Sequence, residues 1–222
     1  MSKEPFAGTI SSVVAQPKAR RHLETRVNVF IDDKFSFALA VELAIDLGLR
    51  PGFVVSPQLL DEMLRRDGDA RAYARALNYI SYRVRSAKEI RDKLAKDEFP
   101  EAVIVRVLEK LQKNGELNDE NFAALWVESR THSRPKGARA LQQELRLKGI
   151  DRETIAQSLP DDEQELFNCI EALRPNLRKW NGLESRERQN KVFAWLQRRG
   201  FGFSVARNAL RTLDEEDESN EP

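Results

Sequence analysis

Leu145-Arg146-Leu147-Lys148-Gly149-Ile150 and Leu196-Gln197-Arg198-Arg199-Gly200-Phe201 share one layout and stand 51 positions apart (196 − 145). Each reads as a helix end. The Gly can take the left-handed conformation that closes a helix, and the apolar residue after it packs back on the last turn. The same offset extends outward. It relates Ile90, Leu141 and Val192, then Leu94, Leu145 and Leu196, then Phe99, Ile150 and Phe201. It also relates Ile104, Ile155 and Ala206, then Leu108, Leu159 and Leu210. Self-similarity at a fixed period marks a repeat array. Such arrays offer an extended surface to a large partner, which points away from a pocket enzyme.

The spacing predicts three units of three helices. The first has helices near 70–83, 86–96 and 100–113, ended by Asn114-Gly115. The second has helices near 118–132, 137–148 and 151–158, ended by Pro160. The third has helices near 162–178, 185–199 and 203–213, with Pro175 expected to kink or shorten the first of them. Helices two and three of each unit match well, and helix one matches loosely. Glu98 stands where the other units have Gly149 and Gly200, which predicts a different turn in the first unit. Acids gather where helix three begins (Glu101, Asp151, Glu153), on the favourable end of its dipole.

Residues 1–69 read differently. Ile10 to Val14 is a short apolar run, and Asp32-Asp33-Lys34 separates two Val- and Phe-rich stretches, a hairpin pattern. A short helix over 40–47, stopped by Gly48, follows. Ser56-Pro57 then opens another helix to about Arg66, with Asp67-Gly68-Asp69 expected to close this module. The expected organisation is therefore an N-terminal module (1–69), three repeats (70–115, 116–160 and 161–213) and an acidic, disordered tail (214–222).

The chain has 222 residues, 41% hydrophobic and 33% charged, with no apolar run long enough to span a membrane. A single cysteine, Cys169, cannot form an internal disulfide, and cytoplasmic residence is the expectation. The net charge of +1 conceals a segregation: the tail from Asp214 holds six acids and no base, leaving the rest at about +7. Such an excess suits a protein that meets polyanions, or serves solubility alone.

No catalytic constellation emerges. His22 and His132 lack partners at metal-ligand spacing, and no phosphate-binding glycine loop is present. Cys169 lies among apolar residues as a small core residue, and Asp161-Asp162 reads as a helix cap rather than an acid pair. No enzyme activity, cofactor or metal is expected. Basic clustering does recur. Residues 71–93 hold seven bases and two acids, 130–148 six and one, and 174–199 eight and two. The alternatives are a broad positive surface and three separately solvated faces. Candidate contacts are Arg83 and Arg85, Arg134, Lys136 and Arg139, then Arg188, Arg198 and Arg199.

Three stretches carry a resemblance. The run from Ala76 to Ile90 (ALNYISYRVRSAKEI) resembles the RecX family of bacterial recombinase regulators. Lys136-Gly137 with Leu145–Ile150, and Leu196–Phe201, are similar to that family's middle and last motifs. Asp32-Asp33-Lys34-Phe35 and Leu49-Arg50-Pro51-Gly52 resemble its N-terminal extension, so nearly the whole chain is covered. The acidic tail is not part of the pattern. The resemblance implies a mainly α, elongated and curved array of three-helix repeats that binds in the groove of the RecA–DNA filament. It implies suppression of ATP hydrolysis, strand exchange and the SOS response, and weaker binding to single- and double-stranded DNA. A monomer is expected. The alternatives are a free-standing helical DNA-binding protein and an adaptor for another acidic protein.

Overall fold

In the computed structural model the described residues are 4–16 and 25–219; His22 and the tail beyond Ser219 lie outside them. The chain forms two compact units, Met1–Tyr82 with Arg91–Lys113, and Arg83–Ile90 with Asn114–Pro222.

In the first unit, strands β1 (Gly8–Ala15), β2 (Arg26–Ile31), β3 (Lys34–Ala40) and β4 (Val54–Val55) make an antiparallel sheet in the order β3-β2-β1-β4. Alternation decides the buried face: Val27, Val29 and Ile31 of β2 point to the core, and Arg26, Asn28 and Phe30 do not. Asp32 and Asp33, with φ of 48° and 59°, form the two-residue turn. Both being positive is what a hairpin of this twist requires. Helix α1 (Val41–Asp46) follows. Ile10, Val29, Ile31, Phe37, Leu39, Leu60 and Met63 form the core.

Helix α2 (Pro57–Ile80) begins as expected, with the Leu59 N–H donating to Ser56 Oγ at 3.2 Å. It does not end at Asp67-Gly68-Asp69, so the boundary expected at 69 falls inside a helix of 24 residues. The acids there have tertiary partners instead. Asp67 accepts two bonds from Arg26 (3.1 and 2.8 Å) and one from the Ala40 N–H (2.9 Å). Asp69 accepts from Arg106 at 2.7 Å. Gly68 is then an interior glycine, at a cost of about 1 kcal/mol. Helix α3 (Ala87–Lys96) begins in the second unit and ends in the first, where α4 (Glu101–Lys113) packs on α2.

The second unit continues with α5 (Asp119–Ser133), α6 (Ala138–Leu147) and α7 (Arg152–Ser158). Then come α8 (Asp162–Leu177), α9 (Ser185–Arg198) and α10 (Phe203–Ser219). Pro175 sits in the last turn of α8, which tightens into a 3-10 turn at Arg178–Trp180. The protein is thus mostly helical, with three three-helix repeats and a small antiparallel module. The apolar columns face inward: Ile90, Leu141, Val192, Leu94, Leu145 and Leu196 are all 0% exposed. Phe122, Leu145, Ile150 and Ile155 centre the second repeat. Leu173, Val192, Leu196, Phe201 and Leu210 centre the third.

Two further sequence expectations fail. The turn at Glu98 does not differ from the others. Glu98 takes φ of 63°, beside 81° at Gly149 and 87° at Gly200. The closing bonds match as well: Phe99 to Leu94, Ile150 to Leu145 and Phe201 to Leu196, each 3.1 Å from N–H to carbonyl. A side chain in this conformation costs roughly 1–2 kcal/mol, and Glu98 is exposed, so nothing crowds it. The tail, expected to be disordered, is helical as far as Ser219. Two of its acids are held by ion pairs: Asp214 with Arg188 at 2.8 Å and Glu216 with Arg174 at 2.7 Å.

Candidate functional site

Glycine at 149 and 200 answers a packing need. A Cβ on Gly200 would lie 2.4 Å from the Ala140 Cβ and backbone N, and one on Gly149 would lie 2.7 Å from the Lys88 Cβ. At both places the end of helix two in one repeat abuts the start of helix two in the repeat before it. Two junctions of one design result, and their partners are separated alike in sequence (148 − 86 and 199 − 137, both 62).

At the first junction, Ser86 Oγ donates to the Lys148 carbonyl at 2.8 Å and accepts from the Glu89 N–H at 3.2 Å. The Ser86 N–H faces Glu89 Oε2 at 3.4 Å, completing a Ser-x-x-Glu capping box for α3. At the second junction, the Gly137 N–H donates to the Arg199 carbonyl at 3.0 Å. An acid from the next repeat serves each helix start: Asp119 accepts from the Ala87 N–H and Glu165 from the Ala138 N–H, both at 2.9 Å. Burial raises the Asp119 carboxyl above its ordinary value against that hydrogen bond.

The charges at the two junctions differ. Glu89 binds Arg83 at 2.8 Å and Lys148 at 2.7 Å. Burial pushes its carboxyl up, but these two cations outweigh burial and bring it down to about 2. Its counterpart in the second junction, 51 positions on, is Ala140. No carboxylate stands there. Arg199 is half-buried over the Trp195 ring (4.4 Å to the centroid) and donates to the Pro135 carbonyl at 3.2 Å. Burial, then Arg134, pull its pKa below the ordinary value.

The eight candidate residues therefore divide. Arg83 is bound to Glu89, Arg188 to Asp214, and Lys136 to Glu144. Glu144 also takes Arg130 at 2.9 Å and the Trp126 indole N–H at 2.8 Å. Arg85 is half-buried, and Arg199 is packed as described. Arg134, Arg139 and Arg198 are exposed and make no ion pair or side-chain hydrogen bond among the described residues. All three belong to the second junction or its helices.

Composition could not reveal Ser86, Glu89 and Lys148 as junction residues, although the Ser-x-x-Glu box is a visible signal. Cys169 is buried and its thiol is pushed up to about 12, chiefly by burial. Among the described residues no His, Cys, Asp and Glu cluster could hold a metal ion, and no helix is long and apolar enough to cross a membrane.

Glu89 makes the first junction pH-dependent. A carboxyl held below its ordinary 4.5 contributes stability above that pH and loses it as pH falls toward about 2. Glu89→Gln should cost roughly 2 kcal/mol at neutral pH, and the difference from wild type should vanish across that acid window. Urea unfolding at a series of pH values measures it; a difference that persists at the acid end would contradict the assignment.

A protein built of three such repeats behind a small strand module is, by fold, a tandem three-helix repeat protein. Four family models match in chain order. They are "Regulatory protein RecX N-terminal domain" over residues 9–56, then the first, second and third RecX three-helix domains over 72–111, 118–159 and 162–210. The chain belongs to the RecX family. It is 34% identical over 202 residues to Regulatory protein RecX of Bacillus subtilis, covering 88% of this chain and 75% of the relative. It is 30% identical over 212 residues to that of Bacillus pumilus, covering 94% and 80%. A crystal structure of a regulatory protein RecX superposes with a TM-score of 0.71 at 28% identity, covering 91% of this chain and 98% of the other. RecX from Lactobacillus salivarius gives 0.63 at 27% identity, covering 67% and 98%.

Proposed function

We propose that this protein is a negative regulator of the RecA recombinase. It binds in the groove of the RecA–DNA filament and suppresses ATP hydrolysis, strand exchange and SOS-related activity. It acts in the cytoplasm as a monomer and catalyses no step itself. The observation that carries this is the match of all four RecX domain models, in order, along one chain.

The mechanism is steric and electrostatic. Repeats that touch several recombinase subunits at once gain affinity through effective concentration. They shift the filament only as far as their affinity differs between its states. Arg134, Arg139 and Arg198 are the cations we assign to that contact, because no carboxylate among the described residues pairs with them.

Two measurements test this. Titration into recombinase hydrolysing ATP on single-stranded DNA should inhibit at substoichiometric ratios. No inhibition at equimolar protein would sink the reading, and tight sequence-selective duplex binding without recombinase would support a free-standing DNA-binding protein. The variant Arg139→Glu with Arg198→Glu should weaken inhibition about tenfold or more at unchanged helix content. Arg199 is unsuited to that variant, because it packs on Trp195 and bonds the Pro135 carbonyl.

A further inference from the structure

The repeat makes one surface feature conspicuous. Positions 91, 142 and 193 form a column on helix two, and 101, 152 and 203 form one at the start of helix three. In the first repeat Arg91 and Glu101 make an ion pair there. In the second, Gln142 and Arg152 occupy the columns. In the third, Phe193 and Phe203 stand with ring centroids 5.0 Å apart and planes tilted by 60°. Two repeats place polar residues at these positions, so the fold does not require aromatics. Yet Phe203 is 62% exposed, at an energetic cost in water.

Cations flank the rings on both sides. A cleft of about 110 Å³ on one side is lined by Arg139, Gln197, Phe201 and both rings. A groove of about 410 Å³ on the other includes Gln189, Arg207 and Arg211. The Arg207 guanidinium lies 5.9 Å from the Phe203 centroid. Neither Arg139 nor Arg207 makes an ion pair among the described residues. Asp214 and Glu215 bound the far end of that groove, so the positive part is confined to the rings.

We propose that Phe193 and Phe203 form a stacking platform for an unpaired base of a single-stranded nucleic acid, with Arg139 and Arg207 receiving the adjoining phosphates. An exposed π-face between guanidinium groups suits this ligand: every base offers a face, and stacking tolerates any sequence. The inference rests on the proposed function, since a filament built on DNA is where this protein meets a single strand.

The test is fluorescence anisotropy with labelled oligothymidylate and an abasic oligonucleotide of equal length. Phe203→Ala should lose about 5- to 100-fold in affinity for oligothymidylate, the range for one stacked base. Binding of the abasic strand should not change. Phe203→Tyr should retain binding and Phe203→Leu should not. Arg207→Gln should lower the salt slope by about 0.7, as expected for one phosphate on a single strand.

Wild-type affinity in Phe203→Ala, or equal loss on both strands, would overturn the platform. Full binding by Phe203→Leu would overturn it too, in favour of an apolar pocket for a protein side chain. Recombinase ATPase on the same samples separates the failures. Intact oligothymidylate binding in Phe203→Ala beside normal inhibition removes only the platform, whereas wild-type protein that does not inhibit removes the regulatory function.

Discussion

Gly137→Ala is expected to cost roughly 3 kcal/mol, with the melting midpoint falling by about 6–12 °C. Gly137 has φ of −75° and ψ of 161°, open to any residue, so backbone strain is not the cause. Crowding is. An added Cβ would lie 2.4 Å from the Gly200 carbonyl carbon and oxygen and from the Phe201 nitrogen. All three are backbone atoms, and no rotamer change can clear them. Moving the ends of α6 and α9 apart also sacrifices the Gly137 N–H bond to Arg199, worth about 1 kcal/mol. Gly137→Ser should be as harmful, although the equivalent position of the first junction is Ser86. There the hydroxyl makes the bond, whereas here the main chain does. Gly182→Ala is the control: nothing lies within 4 Å of an added Cβ, and its change should stay within about 0.5 kcal/mol. A Gly137→Ala protein as stable as this control would refute the junction geometry.

Asp67→Ala should be larger still for the first unit, about 3–5 kcal/mol. The Asp67 side chain is 5% exposed and satisfies both the Arg26 guanidinium and the Ala40 N–H. Truncation strands a cation, 19% exposed, with the Ala38 carbonyl as its remaining partner. It also leaves a buried N–H without an acceptor. Asp67→Asn keeps an acceptor and should lose about half as much. Trp126, Trp180 and Trp195 all lie in the second unit, so two probes separate the units. Far-ultraviolet circular dichroism should show an early transition in Asp67→Ala while tryptophan fluorescence melts as in wild type. A loss below about 1 kcal/mol would show that the pair does not tie α2 to the strands.

The same residue shows where sequence stops being informative. Asp67-Gly68-Asp69 has the composition of a helix stop, and local propensity says so. A guanidinium 41 residues away reverses the outcome by making the acid a tertiary anchor. Glu98 teaches the complementary lesson. Gly149 and Gly200 look like requirements of the turn, but Glu98 makes the same turn, and the glycines prove to be clearance for another repeat. The apolar columns were legible because burial writes itself as periodicity. Helices two and three followed from them, and so did the hairpin, from its Asp-Asp turn between Val- and Phe-rich stretches. The basic clusters were legible only as composition. Which arginines remain open depends on where Glu89, Glu144, Asp214 and Glu216 fall, and those partners come from other helices. The tail departs from expectation for that reason: Asp214 and Glu216 meet Arg188 and Arg174, and the helix continues to Ser219.

Because both joints set the carbonyl at the end of one helix two against the start of another, the fastening is indifferent to what the exterior carries. The 91/101, 142/152 and 193/203 columns bear an ion pair, an amide with an arginine, and two aromatic rings, while the joints keep one geometry. A scaffold of this kind can acquire a new contact in one segment without retuning its neighbours. Constancy within thereby licenses diversity without.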